Sequence, residues 1–329
     1  MAKACWLNGY ELFELSLWWQ IGVRTWTELS LHRPENLSWT VHAERRQAWP
    51  DRCQAAIRLL QDKASLLALA PPCWRSPFLV LPSAEAPPSA PSPAPTWWWA
   101  ALDGPGVVLK PRRGQAGKAV IRFLRRDGAL RQHPLFLRLP DSAPPFPPAL
   151  SPTPDHLFPH WKRLFPRQHA ALAAPYITHS TQLPPADPAV VVRVITARDR
   201  PEAPVAVLQA WLEVPLTHGP VACIHLRGTC LPQAWTPLNP AQQEAVRQWQ
   251  ELLQTGVPAC VAACLAGAVG MHERLPPMDQ VAWDWIPADP HPVLLEGNAS
   301  FGQLVPRLFR RLEETGPLDP RCLAPSSDP

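Results

Sequence analysis

The sequence predicts a mixed α/β (α+β) chain, and three features predict it. Short apolar runs of strand length are bounded by turn residues, as in Val107–Lys110, Val190–Thr196 and Trp283–Ile286. Longer stretches with helical spacing stand at the N-terminal end and again between residues 239 and 274. Proline-rich, low-complexity segments separate the periodic ones, and 329 residues suffice for two or three packed subdomains.

Taken in order, Tyr10–Trp19 spaces its apolar residues for one broad helix face. A second helical pattern runs from Ala43 to Leu69, with Pro50 marking a start or a break. The polar face of the tryptophan-rich helix lacks the Lys/Arg cluster that membrane-surface binding needs, which favours core or partner packing. Leu81–Thr96 reads as an extended linker, and Trp97–Trp99 leads into the Val107–Lys110 strand. Arg112–Lys118 is a small basic loop containing Gly114 and Gly117, and Ala119–Leu124 is the next strand. Asp127-Gly128 is a turn signal within the hairpin that follows. Leu139–Pro159 is a second proline-rich stretch.

Val190–Thr196 is a β run containing Arg193, and Val205–Val214 and Val221–Leu226 alternate as strands. Asn239-Pro240 has the residues of a helix start, running to Gly256, and a second helix spans Pro258–Arg274. Gly302–Glu314 reads as a terminal helix and the tail beyond Pro317 as disordered.

Composition narrows the function classes. A net charge of +4 with dispersed basic residues does not indicate nucleic-acid binding. No apolar run reaches membrane-span length, and the N-terminus lacks a signal-peptide layout, so the expected compartment is the cytoplasm. Eight cysteines show no paired Cys-x-x-Cys spacing; Cys260 and Cys264, four apart in an apolar helical stretch, suit core packing. Of 31 basic residues only five are lysine; Lys110 and Lys118 lie in the strand–loop–strand segment, and Lys63 lies in the second helical stretch.

Two stretches carry chemistry. Trp283–Pro287 and Val293–Asn298 flank a turn and read as a buried hairpin. Asp284 sits in its first strand, while Glu296 and Asn298, two apart, leave one face of the second. Burying carboxylates is costly unless they are paired or metal-bound. Three convergent oxygen ligands suit Mg2+, which takes further ligands from phosphates; the alternative is strand-end polar residues facing water. The strand ending in Lys110 with its small-residue loop suits an anion, since backbone N–H groups can approach it closely. It is not a Walker loop, because the Gly-Lys-Ser/Thr ending is absent and a strand follows instead of a helix.

These motifs, in this order, resemble the ATP-grasp superfamily, and within it the sugar-transfer associated ATP-grasp proteins, relatives of the glutamate-ligase type enzymes. The resemblance rests on Asp62-Lys63, the Lys110-Pro111 strand with its glycine loop, Val191-Val192-Arg193-Val194-Ile195-Thr196, and Asp284 followed by Leu294-Leu295-Glu296-Gly297-Asn298. It runs from about Leu60 to about Gly302. It implies two α+β subdomains gripping ATP: a helical segment 1–80, a linker 81–96, a lid subdomain 97–180, a C-terminal subdomain 181–316 with the metal site, and a tail 317–329. It further implies ATP and Mg2+ as cofactors and ligation of a carboxylate to an amine or thiol through an acyl phosphate. Lys63, Lys110, Gly114, Gly117, Lys118 and Arg193 would bind nucleotide, with Lys63 and Lys110 on the nontransferred phosphates; Arg193, at the transferred group, and Lys110 would be the catalytic residues; Asp284, Glu296 and Asn298 would hold the metal. The chain departs from the family pattern at Ala119, where the last loop glycine is expected, and at Ala173-Ala174, where the hinge beside adenine usually has a Gln or Glu. A nucleotide-binding scaffold without ligase activity and an ATP-grasp kinase are the alternatives.

Overall fold

The computed structural model describes residues 50–82, 94–113, 119–126, 129–134, 152–216, 221–230 and 238–299, together with 301, 305 and 309. Its architecture is mixed α/β, with two five-stranded antiparallel sheets and six α-helices among the described residues. The chain divides into two units, Arg58–Thr178 and His179–Pro329, the latter taken with residues 1–57. The expected 10–19 helix, the Asp127-Gly128 turn and the tail lie outside the described residues, as does all of the terminal helix except Val305 and Phe309.

In the first unit the sheet order is β1 (Leu79–Leu81), β5 (Ala171–Pro175), β2 (Val107–Pro111), β3 (Ile121–Arg126) and β4 (Ala129–Pro134). Helix α1 (Pro50–Gln61) begins at Pro50 and gives way at Asp62 to α2 (Lys63–Leu69). Asp62 breaks the pattern because its carboxylate caps α2, accepting from the N–H groups of Ala64 and Ser65 at 3.1 and 3.4 Å. The chain from Arg58 onward does not stand apart as an N-terminal helical segment. It shares a unit with the sheet, and Leu79–Leu81 pairs with β5.

Two helices replace expected irregular chain. Trp97–Trp99 belongs to α3 (Thr96–Leu102), where Trp98, Ala101 and Leu102 bury one face at i, i+3 and i+4. The end of the second proline-rich stretch is α4 (Pro154–Leu164). Pro154 occupies the first turn, where its missing N–H costs nothing. Pro159 is held inside the helix by burial of the neighbouring Leu157, His160 and Trp161, so packing overrides a strong local breaker. The core of this unit gathers Trp98, Leu102, Leu109, Phe123, Leu157 and Trp161, all fully buried.

The second unit has sheet order β10 (Val293–Asn298), β9 (Gln280–Ile286), β6 (Val191–Ala197), β7 (Ala206–Pro215) and β8 (Val221–His225). Helix α5 (Pro240–Thr255) starts with the expected cap: Asn239 Oδ1 accepts from Gln242 N at 2.9 Å, and Gln242 Oε1 accepts from Asn239 N at 3.1 Å. Helix α6 (Ala259–Arg274) packs on the sheet face that carries Trp283 and Trp285. It comes close because residue 267 is glycine; a Cβ there would sit 2.8 Å from Cη2 of Trp285. On α6, Cys264 is buried and its Sγ–H donates to the Cys260 carbonyl at 3.3 Å, a packing role. The described cysteines are all free thiols. Among the described residues no single helix is long and apolar enough to cross a membrane.

Candidate functional site

Directly opposed residues of an antiparallel ladder share a face. Following the partners from strand to strand across the second sheet gives one row: Glu296 on β10, Asp284 on β9, Arg193 on β6, Trp211 on β7 and His225 on β8. This is the face opposite Trp283 and Trp285, and so opposite α6. Asn298 pairs with Ala282 and therefore shares it. So does Glu213, two residues beyond Trp211. Over the far end of the row, the Phe309 ring lies 6.1 Å from Trp211 and 5.1 Å from His225.

The opposition of Glu296 and Asp284 depends on a bulge. Leu294 faces Trp285, but the next pair is Glu296 with Asp284, so Leu295 is an extra residue. Without it, Leu295 would stand beside Asp284 and Glu296 would face away. One inserted residue thus re-aims the carboxylate. Asn298 Nδ2 donates to Glu296 Oε1 at 3.3 Å, joining the two strand-end groups.

Arg193 grips Asp284 with both arms of its fork. Nε donates to Oδ1 at 2.7 Å and Nη2 to Oδ2 at 2.9 Å. Glu213 Oε1 lies 3.4 Å from the same Nε. Burial alone would lower the Arg193 pKa, but Asp284, Glu213 and Glu296 hold it above its ordinary value. The Asp284 carboxyl is raised well above the usual carboxylate range: burial is the main cause, and repulsion from Glu296 and Glu213 adds to it, against the pull of Arg193. Three carboxylates therefore surround one guanidinium.

The donor set suits a hard cation. Two carboxylates and an amide are the ligand types that Mg2+ takes, and each carboxylate oxygen of Asp284 keeps a second lone pair beyond its bond to Arg193. Among the described residues no group of three or more His, Cys, Asp or Glu side chains could hold a metal by itself. A cation here would need Asn298 and ligands brought by a substrate.

In the first unit, Lys110 lies within β2, half-buried and opposite Leu172 of β5. Lys63 is the first residue of α2 and is buried; its backbone N–H donates to the Arg112 carbonyl at 3.0 Å. The neighbouring Asp62 receives Arg112 in a forked pair, with Nη2 at 2.6 Å from Oδ2 and Nε at 2.9 Å from Oδ1. Burial pushes the Asp62 carboxyl up, but Arg112 and the N–H groups of Ser65 and Ala64 outweigh it and leave the pKa below its ordinary value. Gly114, Gly117 and Lys118 lie outside the described residues. Ala173, expected at a hinge beside adenine, lies in β5 paired on both sides, with Leu79 and with Leu109.

Sequence reasoning missed Glu213, Trp211 and His225. The available signal was the alternation in β7, which puts Trp211 and Glu213 on one face. It missed the Leu295 bulge altogether.

No protein-family model matches the sequence, and no curated protein matches it. Among solved structures the chain is similar to an L-amino acid ligase from Bacillus licheniformis, at 12% identity and a TM-score of 0.39, covering 82% of this chain and 48% of that one. It is similar to N5-carboxyaminoimidazole synthetase from Staphylococcus aureus complexed with ADP, at 11% identity and a TM-score of 0.42, covering 81% and 52%. It is also similar to a D-alanine–D-alanine ligase from Bacillus anthracis, at 10% identity and a TM-score of 0.35, covering 76% and 59%. The chain spans about half the length of the solved structures it matches.

Proposed function

We propose that the chain is an ATP- and Mg2+-dependent ligase that joins a carboxylate to an amine or thiol through an acyl phosphate. The observation that carries this reading is the bulged β9–β10 ladder, which sets Glu296 against Asp284 with Asn298 on the same face and Arg193 on Asp284. The ordered ATP-grasp-like motifs of the sequence support it independently.

Phosphoryl transfer asks a protein mainly for positioning and charge neutralisation. In the second unit, Asp284, Glu296 and Asn298 would hold Mg2+, which when bound neutralises the terminal phosphates. Arg193 would stabilise charge on the transferred group while keeping Asp284 oriented through its fork. In the first unit, Lys63 and Lys110 would carry phosphate charge as point cations. The acid and the amine are not defined by these residues. The sugar-transfer resemblance puts sugar acids beside amino acids among the candidates, and consumption of ATP fits the cytoplasm.

The test is phosphate release from ATP and Mg2+ with a panel of amino acids, sugar acids and amines, comparing the parent with Glu296→Gln. The substitution keeps shape and hydrogen-bonding capacity, so folding should hold while turnover falls by orders of magnitude. Parent turnover that survives the change would remove Glu296 from the site. A parent that binds neither ATP nor Mg2+ would defeat the enzyme reading.

A further inference from the structure

The row of Glu296, Asp284, Arg193, Trp211 and His225 changes character at Arg193. On one side of the guanidinium stand the carboxylates. On the other stand two rings, with the Phe309 ring against both, 6.1 Å from Trp211 and 5.1 Å from His225. Directly opposed residues of an antiparallel ladder bring their side chains into contact range. Trp211 is therefore the neighbour of Arg193 on the side away from Asp284.

One atom of this aromatic end is not explained by folding. Trp211 is 2% exposed, and among the described residues nothing accepts a hydrogen bond from its Nε1. A buried indole N–H ordinarily finds an acceptor, because without one it forfeits its hydration for nothing. A phenylalanine would bury a ring here free of that cost. The indole can only donate, so the group that completes it is an acceptor. A carboxylate makes the stronger, charge-assisted bond.

The surroundings of that N–H define the rest of the ligand. Phe309, 1% exposed, is a phenyl group that the chain itself holds against Trp211 and His225. It shows what this end receives, a flat apolar group, yet it brings no oxygen for Nε1. A carboxylic acid carrying a phenyl group would keep the ring contacts and add the acceptor. A second anionic group would be repelled. Glu213 stands on the same face two residues beyond Trp211, with the buried Cys223 opposite it.

We propose that the Trp211–His225 end of the row is a subsite for a monocarboxylic acid with an aromatic side chain: the carboxylate accepts from Trp211 Nε1, and the ring takes the place of the Phe309 ring. The further step, that this acid is the substrate, rests on the proposed ligase function. Its carboxylate then lies beside Arg193, with Asp284 and Glu296 on the far side of the guanidinium. A carboxylate oxygen forms the bond to the terminal phosphorus of ATP as the bond to ADP breaks, and ADP leaves with the electron pair.

Calorimetry on the full chain, without ATP, tests the subsite with 3-phenylpropionate and with glucuronate as the polar control. The parent should prefer 3-phenylpropionate by at least about tenfold. Phe309→Ala should bind it several-fold tighter, because the competing ring is gone; Phe309→Leu should move the same way and serves if the alanine variant does not fold. Trp211→Phe removes the donor and keeps a ring, and should weaken binding about ten- to hundredfold, the worth of a hydrogen bond to a charged group. Unaltered affinity in a folded Trp211→Phe would overturn the proposal. So would weaker binding in both Phe309 variants, or no binding of 3-phenylpropionate to the parent and to either of them. The Phe309 variants decide the matter if Trp211→Phe does not fold. Phosphate release from ATP and Mg2+ separates the two readings. Binding of 3-phenylpropionate without release keeps the subsite and defeats the ligase. Release driven by glucuronate and unmoved by Trp211→Phe keeps the ligase and overturns the subsite.

Discussion

Lowering the pH from 7.5 to 4.5 should cost this protein about 2–3 kcal/mol through one buried histidine. Trp283 Nε1 donates to Thr196 Oγ1 at 2.8 Å, and Thr196 Oγ1 lies 2.7 Å from His272 Nδ1. His272 Nε2 lies 2.9 Å from the Met278 carbonyl. A carbonyl can only accept, so Nε2 carries the proton, Nδ1 accepts from the threonine hydroxyl, and the ring is neutral. Burial is the main cause that drives its pKa from 6.5 down to about 4; the Met278 carbonyl opposes this and the nearby Arg198 adds to it. Above pH 6.5 the folded and unfolded chains both hold a neutral ring. Between 6.5 and about 4 the unfolded chain binds a proton that the folded one refuses, so stability falls as pH falls. Each pKa unit is worth about 1.4 kcal/mol, which makes the full loss, complete only below pH 4, about 3–4 kcal/mol. Urea unfolding of the parent and of His272→Gln at pH 7.5, 6 and 4.5 isolates this histidine from the others. The variant should be less stable at pH 7.5, and the gap should narrow by about 2–3 kcal/mol by pH 4.5. Parallel pH curves for the two proteins would refute the neutral, buried assignment.

Lys110→Ala should weaken ATP binding about ten- to hundredfold, the worth of a charge-assisted contact, with the unfolding midpoint little changed; an unaltered calorimetric affinity would take Lys110 out of the site. Gly267→Ala should destabilise the chain by about 1–3 kcal/mol in urea, because the added methyl meets the buried Trp285 ring and outweighs the better helix propensity. Asp62→Ala should cost about 0.5–2 kcal/mol for the lost helix cap. Asp62 has a depressed pKa in the fold, so its contribution is present above its ordinary value of 3.8 and fades as pH drops through the folded value; the cost of the variant, measured by urea unfolding, should shrink there.

The hairpin of β9 and β10, the Arg193 strand and the Asn239 cap could be read in the sequence because each is specified locally. Alternation, turn residues and a capping box leave their mark within ten residues or so. Helices α3 and α4 could not be read that way. Three consecutive tryptophans favour strands, and two prolines in eleven residues argue against a helix; burial of Trp98 and Trp161 overrules both. The pairing of Leu79–Leu81 with β5 joins segments some ninety residues apart, beyond any local signal. At the site, the residue types of Asp284, Glu296, Asn298 and Arg193 were legible, but their row was not. Nothing in Leu294-Leu295-Glu296 announces that one leucine is extra, and a ladder without the bulge would turn Glu296 to the other face. Glu213 and Trp211 enter only because β7 happens to flank β6.

Two ion pairs of one chemical type separate the scaffold from the site. Asp62 with Arg112 and Asp284 with Arg193 are both forked carboxylate–guanidinium contacts at similar distances. Yet the Asp62 carboxyl lies below its ordinary range and the Asp284 carboxyl lies well above it. Geometry cannot be the cause, because the geometry is shared. What differs is the company: Asp62 also receives two backbone N–H groups, whereas Asp284, equally buried, faces Glu296 and Glu213. The first carboxylate has two guanidinium groups beside it, Arg112 and, at 3.8 Å, Arg113, and needs nothing further to hold α2 to the end of β2. The second is short of positive charge in a place where solvent does little to supply it. Folding alone would not select that arrangement, since apolar residues in the same row would be less costly to bury. A sheet face that keeps three carboxylates around one arginine is where we place the proposed cation, which is why the functional proposal rests on this row and not on the equally well-formed pair at Asp62.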